Sequence, residues 1–357
     1  MRLIGIFFLL THLFSCSDDS RSGESQDTGP SPAQDTIAPN TDTIAPVQDT
    51  FASVQDTFAP STDTGPATTQ DTTEPGQIEA CPEPDPNEKL HSIFYHRVQK
   101  AISADGVKFT PDSDILLEHA SVPDAIIRPD GRTWVYYVNG IAGQHGIFIA
   151  ELDEDGQFQP FSCVRTDGLF NGNAVDPDVQ LLPDGRTRLF YYQGHFTGEG
   201  PPPAGAKHPF YSAVSEDGIH FTVEDKILEF DAIATDPTAV QLPGGGWLLA
   251  GVADGQIFVA ESADGVTFTL TAHVFETGIP ELALFEDGAI RLYQSSLDGM
   301  MSRVSQDGGQ SWQSEGPIGL GGADPSIVHH TNGSVTMYYK TMDPAGHGGN
   351  PPPPMMP

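Results

Sequence analysis

Six carboxylic residues of the chain stand next to a proline that introduces an apolar run. They are Asp124, Asp176, Asp178, Asp236, Glu281 and Asp324. Carboxyl groups held close together raise one another's pKa, so that some keep a proton near neutral pH while others ionise. Hydrolysis of a glycosidic bond needs such a pair, because one carboxyl protonates the leaving oxygen while the other acts on water. The pattern therefore points to acid–base chemistry.

Two other interpretations of these residues stay open. An Asp-Pro step can begin a strand for structural reasons alone, since the Asp side chain caps a turn and proline fixes φ. Carboxylate oxygens are also the ligands that Ca²⁺ prefers in proteins. Apart from such a calcium ion, we expect no metal and no cofactor.

The elements that must position these carboxyls form a repeat that begins near residue 91. Each of five copies has a Pro/Asp step, an apolar run, a two-residue glycine turn and an aromatic-rich strand. Asp-Gly and Asn-Gly between apolar strands are strong hairpin signals, because both turn residues need positive φ. Copies start roughly 43 to 60 residues apart, which fits the four-stranded blade of a β-propeller. The turns are Asp130-Gly131, Asp184-Gly185, Gly244-Gly245, Asp287-Gly288 and Asn332-Gly333.

A second motif, Ser-x-Asp-Gly with a following aromatic residue, separates the hairpins. It occurs at Ser103–Phe109, Ser215–Phe221, Ser262–Phe268 and Ser305–Trp312, with a degenerate copy at Asp153–Gly156. These segments resemble the Asp-box of sialidases and other propellers, and the resemblance implies a structural β-turn.

The motif also predicts how the ring closes. The last hairpin, ending near Thr341, has no Asp-box after it, and the segment from Ile93 to Leu117 has one with no hairpin before it. Joining the two gives a fifth blade built from both chain ends and removes an open sheet edge. We therefore expect an all-β fold, a five-bladed propeller over residues 90–345, followed by a proline-rich tail at 346–357.

In such a blade, the start of the inner strand and the loop between strands two and three lie on one face. We therefore expect the six carboxyls at the mouth of the central channel. Two long loops, Asn139–Gly146 and Gly194–Pro209, lie on the same face. The residues expected to bind substrate are Asp178, Asp324, His145, His195 and His208.

The hairpins resemble the five-bladed glycoside hydrolases of families 43 and 32. That resemblance implies an Asp in the first blade, an Asp in a later Asp-Pro step and a Glu beyond it. Asp124 as base, Asp236 as the residue that orients and tunes the acid, and Glu281 as acid take these places. Because proline precedes Asp124 rather than following it, Asp176 is the alternative base.

Sialidase chemistry is disfavoured by the arginines of the chain. Sialidases resemble one another in three arginines that bind the sialate carboxylate, in a Phe/Tyr-Arg-Ile-Pro element and usually in having six blades. Here the arginines flank the glycine turns on the opposite face, and that element is missing. They are Arg128, Arg132, Arg186 and Arg188.

The first 15 residues predict a lipoprotein signal peptide. An apolar run ends in Leu13–Cys16, which resembles the bacterial lipobox and implies a diacylglycerol on Cys16. An ordinary secretory signal with a chance cysteine is the alternative. Because Ser17 rather than Asp follows Cys16, we expect the outer membrane or cell surface, with the lipid as the only membrane contact.

Residues 16–89 combine that cysteine with a predicted disordered linker. Gln-Asp-Thr triplets recur among Pro, Thr and Ala, and such a composition cannot bury enough apolar surface to fold. The linker is either a stalk that holds the domain away from the lipid or a neutral spacer.

Composition limits the partners. The chain has 49 acidic and 16 basic residues, a formal net charge of −33, which argues against nucleic acid because phosphate binding needs clustered cations. We expect a monomer with a carbohydrate ligand. Cys81 and Cys163 either pair in an oxidising compartment or are unrelated thiols.

The sequence thus favours a surface-tethered glycoside hydrolase-like propeller that acts on a polysaccharide or glycan. The alternatives are a non-catalytic propeller that binds carbohydrate or protein, and a purely structural surface module.

Overall fold

The computed structural model describes residues 80–88, 92–193, 205–296 and 298–344. The predicted signal peptide, Cys16, nearly all of the linker, His195 and the C-terminal tail lie outside them. The described part is all-β apart from a short 3-10 helix, Ser92–Tyr95. None of its helices is long and apolar enough to cross a membrane.

Three strands precede the first complete blade. They are β1 (His96–Ser103), β2 (Thr110–Pro111) and β3 (Leu117–Glu118). Blade one then has β4 (Ala120–Ile127), β5 (Thr133–Asn139), β6 (Ile147–Leu152) and β7 (Phe158–Cys163). A small hairpin of β8 (Arg165–Thr166) and β9 (Leu169–Phe170) follows it.

The next two blades are also complete antiparallel sheets. Blade two has β10 (Ala174–Leu181), β11 (Thr187–Gln193), β12 (His208–Ser215) and β13 (His220–Phe230), and the β8–β9 hairpin extends its outer edge. Blade three has β14 (Ala234–Gln241), β15 (Trp247–Ala253), β16 (Gln256–Ser262) and β17 (Phe268–Phe275).

Blade four and the closing blade complete the ring. Blade four has β18 (Pro280–Leu284), β19 (Ile290–Gln294), β20 (Met301–Ser305) and β21 (Gln313–Pro317). Blade five starts with β22 (Ala323–His329) and β23 (Val335–Met342) and is completed by β1 and β2 from the other chain end. The inner strands β4, β10, β14, β18 and β22 each contact the next, and β22 contacts β4. The predicted five-bladed propeller and its closure are confirmed.

Closure depends on a long antiparallel pairing between the chain ends. Strand β1 pairs with β23 from His96 opposite Met342 to Ser103 opposite Val335. The pairing buries Val98 and Ala101 completely. Arg97 also binds Asp343, 246 residues away in sequence, at 2.5 Å. Both ends of the described domain are thereby held in one sheet.

Aromatic residues of the second strands join neighbouring blades. Tyr136 of β5 and Tyr293 of β19 are fully buried. The Tyr136 hydroxyl donates to the carbonyl of Gly218 in blade two at 2.8 Å, and Tyr293 donates to that of Gly106 in blade five at 2.7 Å. Because a buried Tyr needs a partner for its hydroxyl, these bonds also fix how the blades pack.

A disulfide fastens the segment before the propeller. Cys81 is bonded to Cys163 at the end of β7, so the pairing that the sequence left open is present. Residues 80–88, which we call the strap, also bond to the loop between β5 and β6. Asp85 N donates to Ala142 O at 2.8 Å, and Gln144 Nε2 donates to Pro82 O at 2.7 Å.

Candidate functional site

The inner strands place two sets of side chains at one end of the channel. Each of the five inner strands has a proline near its start. The residue before that proline lies nearer the mouth of the channel than the residue after it. The residues before the proline, the upper ring, are Val122, Asp176, Asp236, Ile279 and Asp324. The residues after it, the lower ring, are Asp124, Asp178, Thr238, Glu281 and Ser326. Eight of these ten residues line a single narrow pocket with all five prolines.

An irregularity of the strands produces the upper ring. In blades one, two, three and five, the pairing of the first two strands shifts register at the proline step. At each shift the residue before the proline has a positive φ, between 46° and 54°. Bulges of this kind redirect a side chain, and positive φ is a real cost for Val122, which is β-branched. Ile279, in blade four, has no positive φ.

The side chains of the lower ring form hydrogen bonds between neighbouring blades, and we call this set of bonds the belt. Asp124 of blade one accepts the backbone N–H of Val179 in blade two, and Thr238 Oγ1 of blade three accepts that of Leu282 in blade four at 3.0 Å. Glu281 Oε1 accepts that of Ile327 in blade five at 3.1 Å.

Two further contacts continue this belt around the ring. Ser326 Oγ of blade five accepts the N–H of Ala125 in blade one at 2.9 Å. In blade two, a hydrogen bond from the amide of Ala239 in blade three acts to lower the pKa of Asp178. Every lower-ring side chain thus acts on the blade after its own, which is a structural use of these residues.

Two hydroxyls join members of this belt to each other. Ser326 Oγ donates to Asp124 Oδ1 at 2.7 Å, and Thr238 Oγ1 donates to Glu281 Oε2 at 2.9 Å. Each hydroxyl thus receives an amide hydrogen and passes its own to a carboxylate. These two residues were not predicted as site residues from the sequence, although they occupy the same repeat position as Asp124.

The three lower-ring carboxyls form a compact buried cluster. Asp124, Asp178 and Glu281 are 6%, 2% and 7% exposed, and one oxygen from each lies within 4.8 Å of the others. Burial raises the pKa of Asp124 to about 7. Burial, followed by the charges of neighbouring carboxyls, raises the pKa of Asp178 and of Glu281 well above their usual values. These three residues could hold a cation.

The upper-ring carboxyls lie in a different environment. Asp176 and Asp236 are half-buried. Asp176 Oδ2 accepts the backbone N–H of Asp236 at 3.4 Å, and Thr235 Oγ1 donates to Asp236 Oδ2 at 2.6 Å. Desolvation and the nearby charge of Asp324 raise the pKa of Asp236 to about 6. Desolvation, then the charges of Asp236 and Asp324, raise the pKa of Asp176 well above its usual value.

A lysine of β23 forms an ion pair with one of the upper-ring carboxyls. Lys340 Nζ, from β23, lies 2.5 Å from Asp324 Oδ2, and both side chains are largely buried. The same Asp324 oxygen accepts the backbone N–H of Val122 at 3.3 Å. Sequence reasoning missed Lys340, because it is a lone cation among the aromatic residues of β23 and its position opposite Ala323 is known only from the structure.

The predicted catalytic residues therefore fall on two levels, and Asp124, Asp236 and Glu281 line one pocket. Asp124 and Glu281 lie in the lower ring, where they join Asp178. Asp236 and the alternative base Asp176 lie in the upper ring with Asp324. The sequence prediction did not distinguish the levels.

Two of the three predicted histidines, His145 and His208, lie among the described residues. His145 Nδ1 is hydrogen-bonded to Gly172 O at 2.7 Å, in a loop that the strap contacts. His208 is buried, and its ring stacks on Tyr192 and is hydrogen-bonded to the Tyr192 hydroxyl at 3.0 Å. Internal contacts thus hold both rings in place.

The chain is similar to known proteins in structure but not in sequence. No family model matches the chain, and no curated protein matches it in sequence. A thermostable family-43 glycoside hydrolase is 12% identical with a TM-score of 0.50, over 63% of this chain and 87% of its own.

Two other solved structures are similar to the chain. A protein of unknown function from Dyadobacter fermentans is 14% identical with a TM-score of 0.49, over 73% of this chain and 85% of its own. A GH43_1 enzyme from Xanthomonas citri, in complex with xylotriose, is 14% identical with a TM-score of 0.47, over 65% of this chain and 83% of its own. At these identities the similarity shows the fold alone: the chain is a five-bladed β-propeller with the architecture of a family-43 glycoside hydrolase.

Proposed function

We propose that the mouth of the propeller binds a carbohydrate and hydrolyses a glycosidic bond, with Asp236 as the acid and Asp324 as the base. One observation carries this proposal. The same pocket presents Asp236, whose pKa is raised to about 6, and Asp324, which is ion-paired with Lys340. Acid–base catalysis requires one group that can donate a proton beside another that can accept one.

In this mechanism the protonated Asp236 donates its proton to the oxygen of the leaving sugar. The Asp324 carboxylate takes a proton from the attacking water, and Lys340 holds that carboxylate in place. Asp176 is a positioning residue, because it accepts the backbone N–H of Asp236. Asp124 and Glu281, the base and acid expected from the sequence, support the pocket floor.

A second candidate is a propeller that binds carbohydrate without cleaving it. The observation that favours it is the composition of the upper ring, where Val122 and Ile279 are apolar at positions that carry Asp in the other three blades. An acid–base pair must then come from three blades only. In either case, we propose that a lipid on Cys16 and the linker display the domain at the cell surface.

Turnover of aryl-glycosides and of arabinan and xylan panels tests the first candidate. We expect Asp236→Asn and Asp324→Asn to lower kcat/KM by about 10²- to 10⁴-fold with an unchanged circular dichroism spectrum. Glu281→Gln should keep turnover within about tenfold, since general acid catalysis does not pass through it.

Loss of turnover in Glu281→Gln alone would return the acid role to Glu281, as the sequence predicted. Binding on a glycan array without turnover by the wild-type protein would support the second candidate. Full turnover in Asp236→Asn would contradict the proposed mechanism.

A further inference from the structure

The central channel contains a second cavity, on the side of the lower ring that faces away from the mouth. This cavity encloses about 410 Å³, whereas the pocket at the mouth encloses about 20 Å³. Small-molecule pockets in proteins measure roughly 300–1,000 Å³. Asp124 and Glu281 line both spaces, so the lower ring separates them. We call the larger space the distal cavity.

The free edges of the five inner strands form the wall of the distal cavity. Along an antiparallel strand, successive residues turn their N–H and C=O groups alternately toward the partner strand and away from it. Just past β4, Arg128 N donates to Arg132 O at 2.8 Å, so the N–H of Ile127 points away from β5 and into the channel. The same bond recurs at the matching position of the other four blades. The five N–H groups that point into the channel at this level belong to Ile127, Leu181, Gln241, Leu284 and His329.

These groups differ in their partners from the amides two residues earlier in each strand. The earlier amides, such as those of Val179 and Leu282, donate to side chains of the lower ring. Among the described residues, none of the five later N–H groups donates to another protein group, and their carbonyls accept from none. Because backbone N–H and C=O groups require hydrogen-bond partners, the cavity offers a ring of donors and acceptors to a ligand.

The side chains around this ring are mostly aliphatic. Ile127, Leu284 and Leu181, which is 40% exposed, surround the open end of the cavity. Gln241 and His329 add polar side chains at the same level, and neither lysine nor arginine is among the residues that line the cavity. Apolar walls with a few placed polar groups are typical of small-molecule sites.

The pattern of donors and acceptors selects the class of ligand. A hydroxyl both donates and accepts, so a polyol can bond to the N–H and the C=O groups while its C–H faces contact the aliphatic side chains. A carboxylate only accepts and would meet the like charges of Asp124 and Glu281. An ammonium group only donates and would leave the N–H groups without an acceptor.

We propose that the distal cavity binds one neutral polyol of monosaccharide size, as a second ligand site at the end of the channel opposite the mouth. The backbone ring bonds to its hydroxyls, and the aliphatic side chains at the open end contact its C–H groups. This site does not rest on the proposed hydrolysis at the mouth.

Amide NMR spectra of the full chain during titration with D-glucose test the site. We expect saturable shifts of the Leu181, Gln241 and His329 amide signals, and D-glucuronate should bind about tenfold more weakly because the lower-ring carboxyls repel it. Leu181→Trp should weaken glucose binding by about tenfold or more, since the indole obstructs the open end. Leu169→Trp makes the same change at a 66% exposed position of the β8–β9 hairpin. It is the matched control and should bind glucose as the wild type does.

Unchanged signals of these three amides with D-glucose, D-xylose and myo-inositol at millimolar concentration would overturn the proposal. A sugar bound at the mouth moves other amides, such as that of Asp236, and does not count as binding here. Undiminished binding by Leu181→Trp, or tighter binding of D-glucuronate than of D-glucose, would also overturn it. If Leu181→Trp does not fold, Gln241→Trp obstructs the cavity from blade three and takes its place.

Discussion

The upper and lower rings differ in what their side chains hold. The lower ring binds blade to blade: its side chains are buried, and each acts on the backbone of the blade that follows. In the upper ring, which shares the prolines, Asp176 and Asp236 stay half-buried, whereas Asp324 is buried in its ion pair with Lys340. Under the proposed function, the two residues on either side of one proline thus divide between them a structural role and a catalytic one.

The largest expected effect lies outside both rings. Replacing Cys81 and Cys163 by serine opens a loop whose ends are 82 residues apart, which should lower the free energy of unfolding by about 4 kcal/mol. Urea denaturation measures this loss. The strap bonds to the β5–β6 loop of blade one and to Arg165 of β8, away from Asp236, so the Asp236-dependent pH profile should not change. A changed profile would mean that the rim controls the upper ring.

The next effect concerns the lower ring. Thr238→Val keeps the side-chain shape but leaves the Leu282 N–H and Glu281 Oε2 without this hydroxyl. We expect a loss of about 2 kcal/mol in the free energy of unfolding, measured by urea denaturation. If this variant is as stable as the wild type, the hydrogen bonds of the belt do not stabilise the fold.

The pH dependence of turnover tests the upper ring. The pKa of Asp236 is raised from 3.8 to about 6, so the acid is protonated below pH 6 and loses its proton above it. We therefore expect kcat/KM to fall about tenfold per pH unit above 6. A profile that stays flat to pH 8 would exclude Asp236 as the acid.

The smallest effect is expected at Thr235, whose hydroxyl donates to an upper-ring carboxyl as that of Thr238 donates to a lower-ring carboxyl. Thr235→Val removes the hydroxyl that donates to Asp236 Oδ2, and that hydrogen bond lowers the pKa of Asp236. The alkaline limb of the kcat/KM profile should move to higher pH by less than about one unit, with stability within about 0.5 kcal/mol of wild type. A large loss of stability would show that the upper ring is structural too.

The architecture could be predicted from the sequence because local signals agree with it. Glycine turns such as Asp130-Gly131 fix the hairpins, and the unmatched motifs at the two chain ends require closure. The split between Asp176 and Asp178 could not be predicted, because both flank Pro177 and differ only through a bulge with positive φ. The ion pair of Lys340 depends on packing between strands that are far apart in sequence.

The fifth blade is built from both chain ends, and it determines when the domain can finish folding. Strand β1 is made early and pairs at once only with the two-residue strands β2 and β3, whereas its full-length partner β23 follows more than two hundred residues later. Contacts between such distant residues form slowly. The domain must therefore stay open until its last strand has been synthesised, and a truncation that removes β23 would leave β1 as an exposed edge prone to aggregation.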